Sequence, residues 1–258
     1  YDKSDNSVQR LSKTTGLSDV EVSTVKYNEE NNILLIVYTN TNIDLIENNI
    51  ITNIPDIKRK GIVGKKTINS IMFIDNYAYL SCGFGIVVLD IIKKEIKETY
   101  FVIPNGIEVF EMAFAYDTLF AATENGVYKA SINSFNLADF ASWEKDAALP
   151  DGIYNTITSF NGKVYVNNSN SPTDTIHDDT IYVYNGNNWI LFDSVGVWTT
   201  NRLESLYNKL IITNKFSVSI YDNTGARVEF IDDYFSWSSP RPIHTIIDED
   251  NTIWIADN

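Results

Sequence analysis

The sequence predicts an all-β fold, a β-propeller of four-stranded blades, and three observations carry that prediction. A β-rich pattern recurs at a spacing of about 41 to 46 residues along the 258-residue chain, the period of propeller repeats. Each copy holds about four strand-like runs separated by Asn-, Asp- or Gly-containing breaks of hairpin length. Aromatic residues make up 13% of the chain, against only 12 Gly and 6 Pro, which suits short strands with aromatic cross-strand pairs.

The elements run in order along the chain. The central strand pair of each copy falls at 34–46, 79–90, 119–130, 164–167 with 181–184, 210–222 and 253–258. A strand precedes each pair, at 22–27, 68–74, 109–115, 155–160, 203–206 and 243–247, across turns such as Asp75-Asn76, Tyr116-Asp117, Asn161-Gly162 and Tyr207-Asn208. A closing strand is expected at 95–102, 189–192 and 227–231. The polar stretch 168–180 reads as a loop. Leu137, Phe140 and Ala141 have i, i+3, i+4 spacing, so one short helix is expected within 137–145. The repeats lie near 11–65, 66–106, 107–152, 153–196, 197–240 and 241–258, as one propeller domain. The sixth reaches only its second strand, so the expectation is a seven-bladed propeller whose natural chain continues beyond a piece that ends within blade six.

Composition narrows the function. A net charge of −14 argues against nucleic acid, whose phosphates need clustered Lys and Arg. Hydrophobic residues at 44% and charged ones at 21% mark a globular chain, and no apolar run is long enough for a transmembrane helix. The single cysteine, Cys82, cannot form an intrachain disulfide and reads as a small packing residue. No signal-peptide pattern opens the chain, which begins without Met, as a mature or trimmed piece would.

Motifs of catalysis and of metal binding do not occur: the sequence has no Gly-x-Ser-x-Gly, no His-Glu-x-x-His and no Cys-x-x-Cys. The expectation is a non-enzymatic protein with no catalytic residues, no metal ligands and no cofactor. His177 lies in the polar insert and His244 at a strand start. Asp248-Glu-Asp-Asn251 and His177-Asp-Asp179 alternate oxygen ligands, but read more simply as solvated turns. Gly64-Lys-Lys-Thr67 lacks the upstream Gly of a phosphate loop, having Arg59 there. Lys58, Arg59 and Lys60, with Lys65 and Lys66, form the one basic cluster. Its simpler reading is a solvated loop between blades; its functional reading is a contact for phosphate or anionic sugar. Trp254 is expected in the packing between blades. Trp198 with Arg202, and Trp237 with Arg241, fall in inter-blade connections, where their rings could stack on sugar faces.

Several stretches carry a resemblance to known families. Thr15-Gly-Leu-Ser-Asp19 and Thr252-Ile-Trp-Ile-Ala-Asp257 resemble, distantly, the propeller repeats of Bacteroidetes hybrid two-component sensors. Residues 11–145 are more similar to the PorZ family of the type IX secretion system. The stretches concerned are 11–19, 38–45, 56–60, 66–69, 78–90 with 94–97, and 136–140 with Trp143. That resemblance implies two propellers followed by a β-sandwich signal domain, of which this chain would cover most of the first propeller. It implies an exported protein of the periplasm or the outer-membrane surface, acting as scaffold or recognition module in the attachment complex. The peptidase of that complex is another subunit. The implied partners are the other attachment-complex proteins and lipopolysaccharide or another glycan. The sensor resemblance implies instead a periplasmic propeller that binds an oligosaccharide. Asp-Ser/Thr followed by an aliphatic residue, the Bacteroidetes O-glycosylation pattern, occurs four times; Thr175, in the polar insert, is the accessible candidate.

Overall fold

The computed structural model describes residues 7, 10–169, 179–192, 199–232 and 241–257. The chain divides into two compact units, Tyr1–Phe101 and Val102–Asn258. Among the described residues no helix is long and apolar enough to cross a membrane.

The first unit holds two four-stranded antiparallel meanders. One is β1 (Val22–Asn28), β2 (Ile33–Tyr38), β3 (Ile43–Glu47) and β4 (Ile50–Ile54), in sheet order β1-β2-β3-β4. A one-turn helix, α1 (Asp56–Arg59), leads to β5 (Ile68–Ile74), β6 (Tyr77–Cys82), β7 (Gly85–Asp90) and β8 (Glu95–Tyr100), again in sequence order. The second strands read as unbroken apolar runs because both of their faces are buried. In β2, Leu35 and Val37 pack into a core shared with Leu80, Cys82, Val87 and Leu89 of the next sheet. Ile36 and Tyr38, on the other face, pack against Leu17. Cys82 is a packing residue in that shared core, and burial pushes its thiol far up from the ordinary range.

The second unit repeats the pattern. Its sheets comprise β9 (Val109–Ala115), β10 (Thr118–Thr123), β11 (Gly126–Ser131) and β12 (Glu144–Lys145); then β13 (Ile153–Phe160), β14 (Lys163–Ser169), β15 (Thr180–Tyr184) and β16 (Trp189–Leu191). β17 (Thr200–Leu206), β18 (Lys209–Asn214), β19 (Val218–Tyr221) and β20 (Arg227–Ile231) come next, and then the pair β21 (Pro242–Ile247) and β22 (Ile253–Asp257). Each core lies between successive sheets. Leu210 and Ile212 of β18 face Phe160, Tyr165 and Val183 of the sheet before. Ile211, on the opposite face, meets Ile247 of the sheet after. Four-stranded meanders stacked face to face are propeller blades.

Two-residue turns close the first hairpin of three of these sheets. Tyr116-Asp117, Asn161-Gly162 and Tyr207-Asn208 all have positive φ at both positions, as a turn that matches the strand twist requires. A second device repeats as well. The first strand of every described sheet carries a β-bulge near its start, at Ser23, Asn69, Phe110, Asn155, Asn201 and Ile243. These positions recur at the spacing read from the sequence.

Closing strands β4 and β12 join the three named from the sequence, β4 on the β-branched run Ile50–Ile54 and β12 on the charged pair Glu144–Lys145. Three expectations change. No helix spans 137–145: Asp139 accepts a hydrogen bond from the Ala141 amide, and the backbone makes one 3-10 turn, Phe140–Ser142, before β12. Such local side-chain bonds compete with helix formation. The segment holding Lys58 and Arg59 is the helical turn α1 where a loop was expected. Trp254 does not join the packing against the preceding sheet and is 45% exposed in this chain. Ile253 and Ile255 pack against the preceding sheet, so strand alternation turns Trp254 to the other face.

Glycines opening the third strands test this geometry. Gly85 and Gly126 both have positive φ. A Cβ on Gly85 would lie 2.5 Å from the Tyr100 carbonyl oxygen, whereas one on Gly126 would meet only the end of the Lys145 side chain. Gly85→Ala is expected to cost about 3 kcal/mol and Gly126→Ala about 1 kcal/mol, measured from urea unfolding. Equal costs would show that backbone overlap does not decide the site.

Candidate functional site

In the second unit the first strands β9, β13, β17 and β21 lie side by side. The residue after each bulge is polar: Glu111, Thr156, Arg202 and His244. The bulge re-aims that side chain along the row of strands. Glu111 Oε2 accepts from Thr156 Oγ1 at 2.6 Å and from the Ile157 amide at 3.1 Å. Thr156 Oγ1 in turn accepts from the Leu203 amide at 3.0 Å. Arg202 Nη2 lies 2.9 Å from Glu111 Oε1, and Nε donates to Glu204 Oε2 at 3.1 Å. His244 Nε2 sits 3.3 Å from the same Glu204 oxygen. Four sheets are thus joined by one chain of polar contacts. The Glu111 carboxylate raises the Arg202 guanidinium above its ordinary range, against the opposing effect of desolvation, and Glu204 adds to it.

The bulged asparagines extend the stitching. Asn155 Nδ2 donates to the Thr200 carbonyl at 2.7 Å, and Asn201 Nδ2 to the Pro242 carbonyl at 2.6 Å. Buried Asp179 joins in, its Oδ2 accepting from Asn167 Nδ2 and from the Thr200 amide, both at 2.8 Å.

Arg202 therefore lies within strand β17 and is not in a connection. Its charge is compensated by two carboxylates. His244, expected only as a strand-start residue, belongs to the same row. Glu111, Thr156 and Glu204 escape the sequence reading. The signal available for Glu111 and Thr156 is a polar residue at one fixed place in the first strand, once per repeat; Glu204 lies two residues past that place in β17.

In the first unit the basic cluster is partly turned inward. Lys58 Nζ lies 2.5 Å from Asp19 Oδ2, which also accepts from Asn40 Nδ2 at 2.6 Å. Lys58 first, then Asn40 and the Val20 amide, hold the Asp19 carboxyl far below the usual carboxylate range. Next to it, the fully buried Asp44 accepts from Tyr38 Oη at 2.6 Å, the Ser18 amide at 2.7 Å and Asn53 Nδ2 at 2.9 Å. The Gly-Leu-Ser-Asp stretch is thereby tied down by Leu17, the Ser18 amide and Asp19. Lys66 Nζ donates to the Lys58 and Lys60 carbonyls at 2.6 and 2.9 Å. Arg59 and Lys60 are exposed.

The other candidates separate. Trp198, Trp237, Thr175 and His177 lie outside the described residues. Arg241 is exposed at the start of β21. Trp143 is buried, its Nε1 donating to the Leu137 carbonyl at 3.0 Å. Trp189 packs against Tyr184 and Phe120, and its Nε1 donates to Asp146 Oδ2 at 2.9 Å. The Asp248 carboxylate accepts from the Asp250 and Thr252 amides and from Trp254 Nε1, so protein donors occupy the turn weighed as a cation loop.

Four-stranded blades whose first strands are linked through bulges and polar residues define the chain as a β-propeller. Residues 1–144 match the family model of the type IX secretion system PorZ N-terminal β-propeller domain, and the chain belongs to that family. Among solved structures, PorZ of Porphyromonas gingivalis, described as an essential bacterial surface component of the type IX secretion system, is similar with TM-score 0.77 and 24% identity. The match covers 95% of this chain and 31% of that one. The extracellular domain of a one-component system from B. thetaiotaomicron is similar with TM-score 0.65 and 14% identity, over 94% of this chain and 32% of that one. A hybrid two-component extracellular domain from the same organism gives TM-score 0.54 and 16% identity, over 96% and 40%. At these identities the likeness is one of fold. The chain spans about a third of the length of the first two. No curated protein matches it.

Two measurements probe the polar contacts. Arg202→Leu is expected to destabilise the chain by about 3 kcal/mol, because two shielded carboxylates lose their countercharge. Adding Glu111→Gln should recover part of that loss in a double-mutant cycle; strict additivity would refute the coupling. The Asp19–Lys58 pair predicts a pH dependence. A depressed folded-state pKa adds stability above the unfolded value, near 3.9, and that stability is lost as pH falls through the folded value. Lys58→Ala should therefore be less stable than wild type at pH 7, with the gap narrowing below about pH 4. A gap that is constant across urea titrations at pH 7 and pH 3 would exclude the ion pair as its source.

Proposed function

We propose that the chain is a non-catalytic recognition module of the type IX secretion system, exported to the periplasm or the outer-membrane surface. Its partners on this reading are other proteins of the attachment complex and an anionic glycan of lipopolysaccharide type. The family match over residues 1–144 carries the reading. The polar row along the first strands supports the non-catalytic part. Both Glu111 oxygens and the Arg202 guanidinium are committed to one another and to neighbouring strands, so they serve as structural links.

The anion contact is assigned to Arg59 and Lys60. Lys58 neutralises Asp19, while Lys66 braces the segment from within through two carbonyls. That leaves the Arg59 and Lys60 side chains facing water, a local positive feature on a chain of net charge −14. Basic side chains so placed draw phosphate or acidic sugar by field as well as contact. Arg241 is the second exposed candidate, at the start of β21.

The test is binding of purified lipopolysaccharide to the full-length protein at several salt concentrations, beside a panel of neutral oligosaccharides. Saturable, salt-sensitive binding is expected, weakened on the order of tenfold by Arg59→Ala with Lys60→Ala. Tight, salt-insensitive binding of one neutral oligosaccharide would replace this reading with a sensor propeller. No binding of either would remove the glycan and leave a protein scaffold.

A further inference from the structure

The connection between β11 and β12, residues 132–143, places large aromatic side chains in water on a braced backbone. Phe135 is 104% exposed and Phe140 47%. Burying a phenylalanine is favourable, and the same connection does bury Leu137 and Trp143. The connection is held in one shape by its own polar groups. Asn136 Oδ1 accepts from the Ala138 amide at 3.1 Å, and Ser142 Oγ donates to the Asn136 carbonyl at 2.6 Å. Asp139 Oδ1 accepts from the Ala141 amide at 3.0 Å, and the Trp143 indole anchors the Leu137 carbonyl. Ser131 holds the entry, bonding the Asn133 and Ser134 amides.

An aromatic presented on a pre-ordered loop loses little conformational entropy when it is buried by a partner. Isolated aromatics of this kind are the residues that dominate interface energies. The chemistry of the loop selects the occupant. From Ser131 to Trp143 there is no Lys, Arg or His; the only charge is Asp139, and the exposed Glu144 comes next. Segments that insert into anionic membrane surfaces pair aromatics with basic residues, which are absent here. A second copy of the loop is disfavoured, since it offers no base to meet the acids of its twin. Asn136 Oδ1, Asp139 Oδ1 and Ser142 Oγ bond the loop itself, which leaves fewer of its polar groups to direct a sugar onto the ring.

We infer that the 132–143 connection is a protein-docking element: Phe135, assisted by Phe140, inserts into an apolar pocket of a partner protein whose rim is basic. The residues tested here are other than Arg59 and Lys60, and each set of variants leaves the other set intact, so glycan binding and this docking fail or succeed independently.

The experiment places the photo-crosslinking residue p-benzoylphenylalanine at position 135 of the full-length protein, in the cells that make it, and maps the adduct to the residue. The expected adduct lies in an apolar pocket of another protein, with Lys or Arg at its rim. With that partner purified, Phe135→Ser should weaken the complex at least about thirtyfold, and Phe140→Ser less. Val63→Ser, at an equally exposed position of the first unit, should leave it unchanged. Salt should weaken the wild-type complex. An adduct on lipid, on lipopolysaccharide or on a second copy would overturn the inference. So would the absence of any adduct, or a purified complex indifferent to Phe135→Ser.

Discussion

One extra residue near the start of each blade's first strand is the constraint on which the rest of the structure depends. Hydrophobic packing between stacked sheets is non-directional, so the apolar faces alone would let neighbouring blades slide. The bulge breaks the ladder at one place and re-aims the side chain next to it. At Asn155 and Asn201 the bulged side chain itself bonds the backbone of the next sheet. One residue later, Glu111 reaches Thr156, and Thr156 reaches the Leu203 amide. These are directional bonds at short distances, and they fix the register between sheets to a single value.

The same bonds set what the polar residues can do. A carboxylate, a guanidinium and an imidazole gathered along neighbouring strands are the ingredients of acid–base chemistry. Here the Glu111 carboxylate and the Arg202 guanidinium are bonded to each other and to neighbouring strands, in surroundings where an unpaired partner would be costly, and the more exposed His244 meets Glu204. Glu111 accepts from a hydroxyl, an amide and a guanidinium at once. Replacing such a group would register first as lost stability. In the first unit, Asp19 and Asp44 are likewise surrounded by donors. They turn the Gly-Leu-Ser-Asp stretch into an anchor for the first blade.

The blade period was legible because burial on both faces writes an unbroken apolar run, such as Ile33–Tyr38, once per repeat. The turns were legible because positive φ at two successive positions restricts the residues to types such as Asn, Asp and Gly, with tyrosine the exception at 116 and 207. The features that could not be read have physical causes too. β12 is two residues long and charged, so it has no alternation to display. Trp254 lies in an apolar run whose two faces are indistinguishable in sequence; only the packing of Ile253 and Ile255 decides that the indole lies on the face away from the preceding sheet. Arg202 and Trp198 are sequence neighbours and read as one surface pair. The partner that matters to Arg202, however, is Glu111, two repeats earlier in the chain. Lys58 reads as part of a basic cluster because Asp19, 39 residues away, is invisible to local inspection.

That last pairing bears on where recognition can occur. On a chain of net charge −14, a basic side chain gains most by meeting a nearby carboxylate, and several do. Lys58 meets Asp19, Lys94 meets Glu47, Lys129 meets Asp146, and Arg202 meets Glu111 and Glu204. A basic residue that stays outward in such a field is held there by local backbone geometry. Arg59 and Lys60 satisfy that condition through α1 and the Lys66 brace. Phe135 satisfies the apolar counterpart, kept in water by a loop whose hydrogen bonds are complete without it. Outward groups fixed by their own backbone, as these are, are the places where a partner gains most from binding.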